Sequence, residues 1–169
     1  MHIMPVAILK SEELEIIQME NKAVRYFTEI GLGDRIKEFD HSSATVALAA
    51  QALGCEERQI AKTLAFLAPD PILVVCGGAS RVDNAKYRQT FGCKAKMIPF
   101  EEVEDLVGYP AGGVCPFCVN EGVKVYLDES LKELETWYPA CGARNNAIEL
   151  SVEELEEHSH AIKWVDITK

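Results

Sequence analysis

What this chain lacks narrows it first. No stretch approaches the ~20 consecutive apolar residues that a membrane span needs, and residues 1–10 carry neither a basic start nor a sustained apolar run. A cytoplasmic location with no membrane partner is therefore expected. Positive charge is also scarce, with 17 Lys and Arg against 27 Asp and Glu and a net charge of −10. A long groove that tracks a phosphate backbone needs many cations on one face. The balance argues against such a groove, and a small nucleic-acid footprint held by one or two cations and backbone donors fits it better. The chain has no Gly-x-Ser-x-Gly elbow and no His-Glu-x-x-His motif, which argues against acyl-enzyme and zinc-hydrolase chemistry. No cofactor is called for, and there is no internal repeat or low-complexity linker.

The six cysteines, at 55, 76, 93, 115, 118 and 141, are scattered through the chain and not crowded into a small scaffold. In a reducing compartment they read as thiols, with no structural disulfide expected. A chain of 169 residues with 48% hydrophobic content has the size of one domain, residues 1–169, able to bury a substantial core.

Hydrophobic spacing and turn residues place the elements. Residues 11–30 carry Leu14, Ile17, Val24, Phe27 and Ile30 at helical spacing, with a stop at Gly31-Leu32-Gly33; residues 1–20 read as an N-terminal helical extension. Ser42 to Thr45 offer N-caps for an alanine-rich helix that ends at Gly54. Residues 62–67 and 72–76 form an antiparallel pair across Ala68-Pro69-Asp70-Pro71. Asp83 caps a helix through Phe91 that Gly92 ends. A short strand is expected at 94–98, then an acidic helix at 100–107 begun by Pro99. Strands follow at 123–127, at 137–141 and 147–150 around an Asn145-Asn146 turn, and at 161–167, with Ser151 capping a helix over 152–158. Short strands joined mostly by hairpins, with helices interspersed, indicate an α+β fold with a mixed or antiparallel sheet.

Three stretches could carry chemistry. Gly108-Tyr-Pro-Ala-Gly-Gly-Val-Cys-Pro-Phe117 can strip side chains from a cleft wall, expose successive N–H groups and hold its bend with a fixed φ. Lys62 places a cation in an otherwise apolar run, either at a rim or directed into a pocket. Ala140-Cys141-Gly142 precedes the second hairpin. Cys115-Pro116-Phe117-Cys118 has the form of a redox dithiol, although such a motif belongs at the start of a long helix that lowers the thiol pKa. It could otherwise close as a regulatory disulfide or, with Cys141 and one histidine, hold zinc; no second ligand pair stands at metal spacing.

In that order and spacing, Gln59-Ile60-Ala61-Lys62-Thr63-Leu64, Ser80-Arg81-Val82-Asp83, Gly108-Tyr109, Gly112 to Phe117 and Ile148-Glu149-Leu150-Ser151 resemble the YbaK family, the prolyl-tRNA-synthetase-associated editing domain. The resemblance runs from about His41 to about Leu155. It implies a mixed, largely antiparallel curled, barrel-like sheet flanked by helices, and hydrolysis in trans of mischarged aminoacyl-tRNA, here tRNA for proline carrying a small amino acid such as cysteine or alanine. It implies that Lys62 holds the terminal adenosine phosphate and that Gly112 and Gly113 align the ester and the water. His41, Arg81, Val114, Pro116, Cys141 and Gly142 fall in the substrate-binding set. The aminoacyl-tRNA acceptor end is the implied ligand, and prolyl-tRNA synthetase a candidate partner. The rival readings are a thiol-disulfide oxidoreductase using Cys115 and Cys118, and a tRNA-end binding module without turnover.

Overall fold

The computed structural model describes residues 21–39 and 45–169; His41, Ser42 to Ala44 and the extension over 1–20 lie outside them. The architecture is α+β, with a curled six-stranded half-barrel and, among the described residues, five helices. The hairpin of β2 (Ile60–Leu67) and β3 (Pro71–Gly77) is its centre, in the register Lys62 opposite Cys76 and Leu67 opposite Pro71. β3 is buried on both faces, as its unbroken apolar run Ile72-Leu73-Val74-Val75-Cys76 demands. Leu73 and Val75 enter one core with Leu127, Leu131 and Trp137, whereas Ile72 and Val74 enter a second with Phe66, Tyr87 and Ile167. Each such side chain contributes roughly 1.5–3 kcal/mol on full burial.

Around this hairpin stand β4 (Lys124–Asp128), β5 (Thr136–Pro139), β7 (Leu150–Ser151) and β8 (Lys163–Val165), in the order β7-β5-β2-β3-β4-β8. The β2–β3 and β5–β7 pairs are antiparallel, and β2–β5, β3–β4 and β4–β8 are parallel. A second sheet pairs β1 (Ile36–Glu38) with β6 (Asn146–Ile148), antiparallel. The helices are α1 (Lys22–Glu29), α2 (Val46–Leu53), α3 (Asn84–Phe91), α4 (Val103–Val107) and α5 (Val152–Ser159). Thr45, Asp83 and Ser151 cap α2, α3 and α5 through their side-chain oxygens, and Gly54 and Gly92 end α2 and α3 in left-handed conformation. Among the described residues no helix is long and apolar enough to cross a membrane.

Four local expectations change. Of the helix read over 11–30, residues 11–20 lie outside the described residues; within them Asn21 is extended and caps α1, its side-chain oxygen accepting from the N–H groups of Ala23 and Val24 at 3.1 and 3.2 Å. Ile30, placed on the apolar face by its spacing, is exposed. Residues 94–98 form one bridge, Met97 to Phe66, and no strand; the chain there only crosses the end of β2, through Leu67 N–H to Lys96 and Ile98 N–H to Ala65. The acidic helix over 100–107 divides into a 3₁₀ turn, Phe100–Glu102, and α4. The hairpin around Asn145-Asn146 does not zip up: β5 pairs with β7, while β6 leaves for β1. The reason is Asn146, whose side chain bonds the intervening loop.

The end of β4 also anchors the C-terminus. The fully buried Asp128 carboxylate accepts from Ser130 N–H at 3.0 Å, Ile167 N–H at 2.8 Å and Thr168 Oγ1 at 2.7 Å. Asp128→Ala would orphan two backbone donors, each costing about 1–3 kcal/mol, so a loss of roughly 2–5 kcal/mol in urea unfolding is expected. Asp166→Ala, which removes an exposed ion pair with Lys86, should cost under about 1 kcal/mol. Equal midpoints for the two variants would show that the clasp carries no stability.

Candidate active site

A cavity of about 350 Å³ opens between α2, the first half of β2, the segment from Met97 to Val103 and two loops, 110–114 and 140–146. Its walls are mostly apolar, from Val46, Ala49 and Leu53 on α2 to Ala61 and Ala65 on β2 and Ile98 and Val103 opposite. β2 is two residues longer at its start than its apolar run suggested, so Lys62 is its third residue and stands inside the sheet. Lys62 is among the residues that line the cavity, and its ammonium donates to the carbonyl of Ser80. That contact puts a fixed cation beside the turn after β3. The turn comes close because Gly78 has no side chain: a Cβ there would lie 2.7 Å from the Ile60 carbonyl oxygen and 2.8 Å from that of Glu57. Arg81 follows immediately, exposed, with no ion pair among the described residues.

The two glycines of the 110–114 loop have different tasks. Gly112 lines the cavity at φ +90°, a conformation that favours glycine, and the aliphatic part of Arg144 lies over it. Gly113 faces inward. Its N–H donates to the Pro110 carbonyl at 2.9 Å, and a Cβ would sit 2.9 Å from the carbonyl carbon of Ala143. Glycine is needed there for backbone-to-backbone approach, and its donor is occupied. The N–H groups of Gly112 and Val114 have no hydrogen-bond partner among the described residues, and both residues border the cavity. These two, not Gly113, are available to an oxyanion or a phosphate.

Asn146, read from sequence only as a turn residue, organises the facing loop. Nearly all of it is buried. Its Oδ1 accepts from Cys141 and Ala143 N–H at 3.1 and 3.2 Å, and its Nδ2 donates to the Cys141 carbonyl at 3.0 Å. Asn21 adds a second donor to the same carbonyl at 3.0 Å. Arg144 ties the two loops together through Nε to the Ala111 carbonyl at 2.8 Å. A polar residue between two apolar strand segments was the only signal that could have singled Asn146 out.

Several residues placed in the substrate set stand elsewhere. Cys141 is fully buried in the core beside Cys115 and Tyr109, and it is Ala140 and Tyr138 that reach the cavity. Gly142, at φ +86°, makes room for Asn21 and the Tyr109 ring. Pro116 is buried and borders a different hollow with Cys118, His160 and Ile162. Lys62, Gly112 and Val114 do meet at one cavity; His41 lies outside the described residues.

The surroundings of Cys115 and Cys118 do not favour the redox reading. Cys118 is exposed at φ 51° and is followed by turns leading to β4, so no helix N-terminus lowers a thiol pKa. Burial pushes the Cys115 thiol up to about 12 and raises Cys118 as well. All six cysteines are free thiols. Among the described residues no group of three or more His, Cys, Asp or Glu is arranged to hold a metal ion.

The chain is similar to known proteins over most of its length. The sequence profile of the aminoacyl-tRNA editing domain matches residues 40–158. The protein YwhH of Bacillus subtilis (strain 168) is 46% identical over 154 residues, covering 89% of this chain and 98% of its own. A candidate Cys-tRNA(Pro)/Cys-tRNA(Cys) deacylase of Enterococcus faecalis, EbsC, is 29% identical over 119 residues, covering 69% and 71%. The crystal structure of a candidate trans-editing enzyme for prolyl-tRNA synthetase superposes with a TM-score of 0.76 at 28% identity, covering 88% of this chain and 98% of that one.

Two measurements check the geometry. Gly113→Ala forces a Cβ against the Ala143 backbone and should destabilise by about 1–3 kcal/mol; an unchanged melting temperature would show that the two loops are not in contact. Because both thiols titrate above the ordinary range, they are protonated at pH 7 and become thiolates only as pH rises. Iodoacetamide should therefore label Cys118 slowly at pH 7 and faster with rising pH, and leave Cys115 unlabelled until unfolding. Rapid labelling of native Cys115 at pH 7 would contradict its burial.

Proposed function

Because this chain belongs to the aminoacyl-tRNA editing domain family, we propose that it is a trans-acting deacylase that hydrolyses the ester of mischarged tRNA. The substrate we assign is tRNA for proline carrying a small amino acid such as cysteine or alanine. The observation that carries the reading is the meeting of one cation, Lys62, with two available backbone donors, Gly112 and Val114, on the rim of a single apolar cavity.

The geometry supports a division of labour. The aminoacyl side chain enters the apolar cavity, while Lys62 exchanges its bond to the Ser80 carbonyl for the phosphate of the terminal adenosine, a role that suits a compact point charge. Arg81, one residue from Ser80, is placed to add a second phosphate contact. The N–H groups of Gly112 and Val114 face the developing oxyanion when water attacks the ester carbonyl carbon. The carbon–oxygen bond to the ribose then breaks, and the water proton passes to the ribose oxygen, leaving free amino acid and tRNA with both terminal hydroxyls. No carboxylate or imidazole of the described residues lines the cavity. Orientation and electrostatic stabilisation, with the substrate's neighbouring ribose hydroxyl as proton relay, carry the step. His41 belongs to the same proposal as a further lining residue, and prolyl-tRNA synthetase as the enzyme whose errors are cleared.

The test is amino acid release from a panel of mischarged tRNAs by wild type and Lys62→Ala. Release by wild type, reduced at least about a hundredfold in the variant and unaffected by reductant, is the expected result. Binding of tRNA with no release of any amino acid would replace the enzyme with a binding module.

A further inference from the structure

We propose that Phe100, flanked by Arg144, is a stacking platform for the unpaired base that precedes the terminal adenosine of the acceptor end. This subsite lies beside the aminoacyl cavity, and the inference rests on the deacylase reading above. Among the described residues Phe100 is the one large aromatic left open to solvent, at 69% exposure. A single exposed apolar side chain needs no explanation by itself; its location does the arguing.

Phe100 stands on the 3₁₀ turn after Pro99 and borders the cavity mouth next to Met97, which is also exposed. The Arg144 guanidinium lies 5.9 Å from its ring centroid, while the same side chain bonds the Ala111 carbonyl and covers Gly112. An aromatic face, a guanidinium and the loop that carries the ester-binding N–H groups thus share one edge of the opening. A nucleotide joined to an adenosine anchored at Lys62 must leave the cavity over its mouth, where that edge offers a base a face to stack on.

Charge selects a base over a phosphate here. Glu101, Glu102, Glu104 and Asp105 follow Phe100, all exposed. These carboxylates repel phosphate but accept hydrogen bonds from the exocyclic amino groups of cytosine or adenine, the bases found at the unpaired end of every tRNA. Stacking also suits a chain of net charge −10, which has little capacity to bind RNA by counterion release. Single-stranded RNA is held this way by proteins that read no sequence, each stacked base strengthening binding by about 5- to 150-fold.

The experiment uses the full chain and a fluorescent RNA minihelix ending in unpaired cytosine-cytosine-adenosine. Phe100→Ala is expected to weaken binding of this probe at least about fivefold, Phe100→Trp to restore it, and a blunt minihelix without the unpaired end to show no dependence on residue 100. In turnover, Phe100→Ala should lower the ratio of kcat/KM for charged minihelix over aminoacyl-adenosine, which lacks the preceding nucleotide, with the change residing in KM. Equal binding of the unpaired-end probe by wild type and Phe100→Ala at matched melting temperature overturns the platform, as does an equal loss on both turnover substrates. Hydrolysis by wild type without any dependence on Phe100 refutes the platform alone. Phe100-dependent binding with no hydrolysis of any charged RNA supports the platform and refutes the deacylase.

Discussion

The site depends on one side-chain amide. Asn146 uses both ends of its amide on the 141–143 turn, bonding Cys141 N–H, Cys141 C=O and Ala143 N–H. A buried amide satisfied in this way fixes a loop more firmly than its own backbone could, because breaking any one bond leaves a buried polar group unpaired. The rigid turn then serves as the surface on which Gly113 rests, and the missing Cβ permits that contact. With the inner N–H of the 110–114 loop spent on Pro110, the N–H groups of Gly112 and Val114 remain for a ligand. Donors fixed before the ligand arrives need no reorganisation when charge develops, which is the condition for electrostatic catalysis without a side-chain base.

The sheet contributes the other half. Burial of β3 on both faces holds the β2–β3 hairpin at the centre of the sheet, and Lys62 is carried on it in register with Cys76. An ammonium inside a sheet is tolerated only if its donors are used, and the Ser80 carbonyl meets that need in the free protein. A neutral carbonyl is a weaker partner than a phosphate, so the lysine is held in place yet remains exchangeable. In a chain with ten more acidic than basic residues, the few cations near one opening also set where an anionic end can settle.

Much of this was legible in the sequence, and the misses share a cause. Caps at Thr45, Asp83 and Ser151, the β2–β3 hairpin and the α+β class follow from local rules that the fold does not override. Lys62 and the Gly112-Gly113 pair were visible through family resemblance, which identifies residue types but not the direction in which each faces. Gly113 and Gly142 leave no room for a Cβ because Ala143, and Asn21 with the Tyr109 ring, press against them, and Cys141 is packed in the core. Asn21 caps α1 in the middle of an apolar periodicity, since spacing alone does not register a cap. Asn146 was read as a turn because a buried amide and an exposed one are the same letter, and only the loops brought together around it reveal its role.

The cavity itself limits how selective such a protein can be. Its walls are mostly apolar, and its volume of about 350 Å³ exceeds what the side chain of alanine or cysteine occupies. An apolar wall distinguishes one methylene by only about 1–3 kcal/mol, so the walls alone cannot separate an unwanted small amino acid from every correct one. Discrimination must then draw on contacts made outside the cavity, to the part of the RNA that differs between tRNAs. On the proposed reading, a rim that engages the unpaired end, which is common to every tRNA, serves affinity and not this discrimination. Such a rim would limit the protein to charged RNA whose end can reach both Lys62 and the Gly112 loop, and leave the apolar pocket the coarser task of excluding side chains too large to enter.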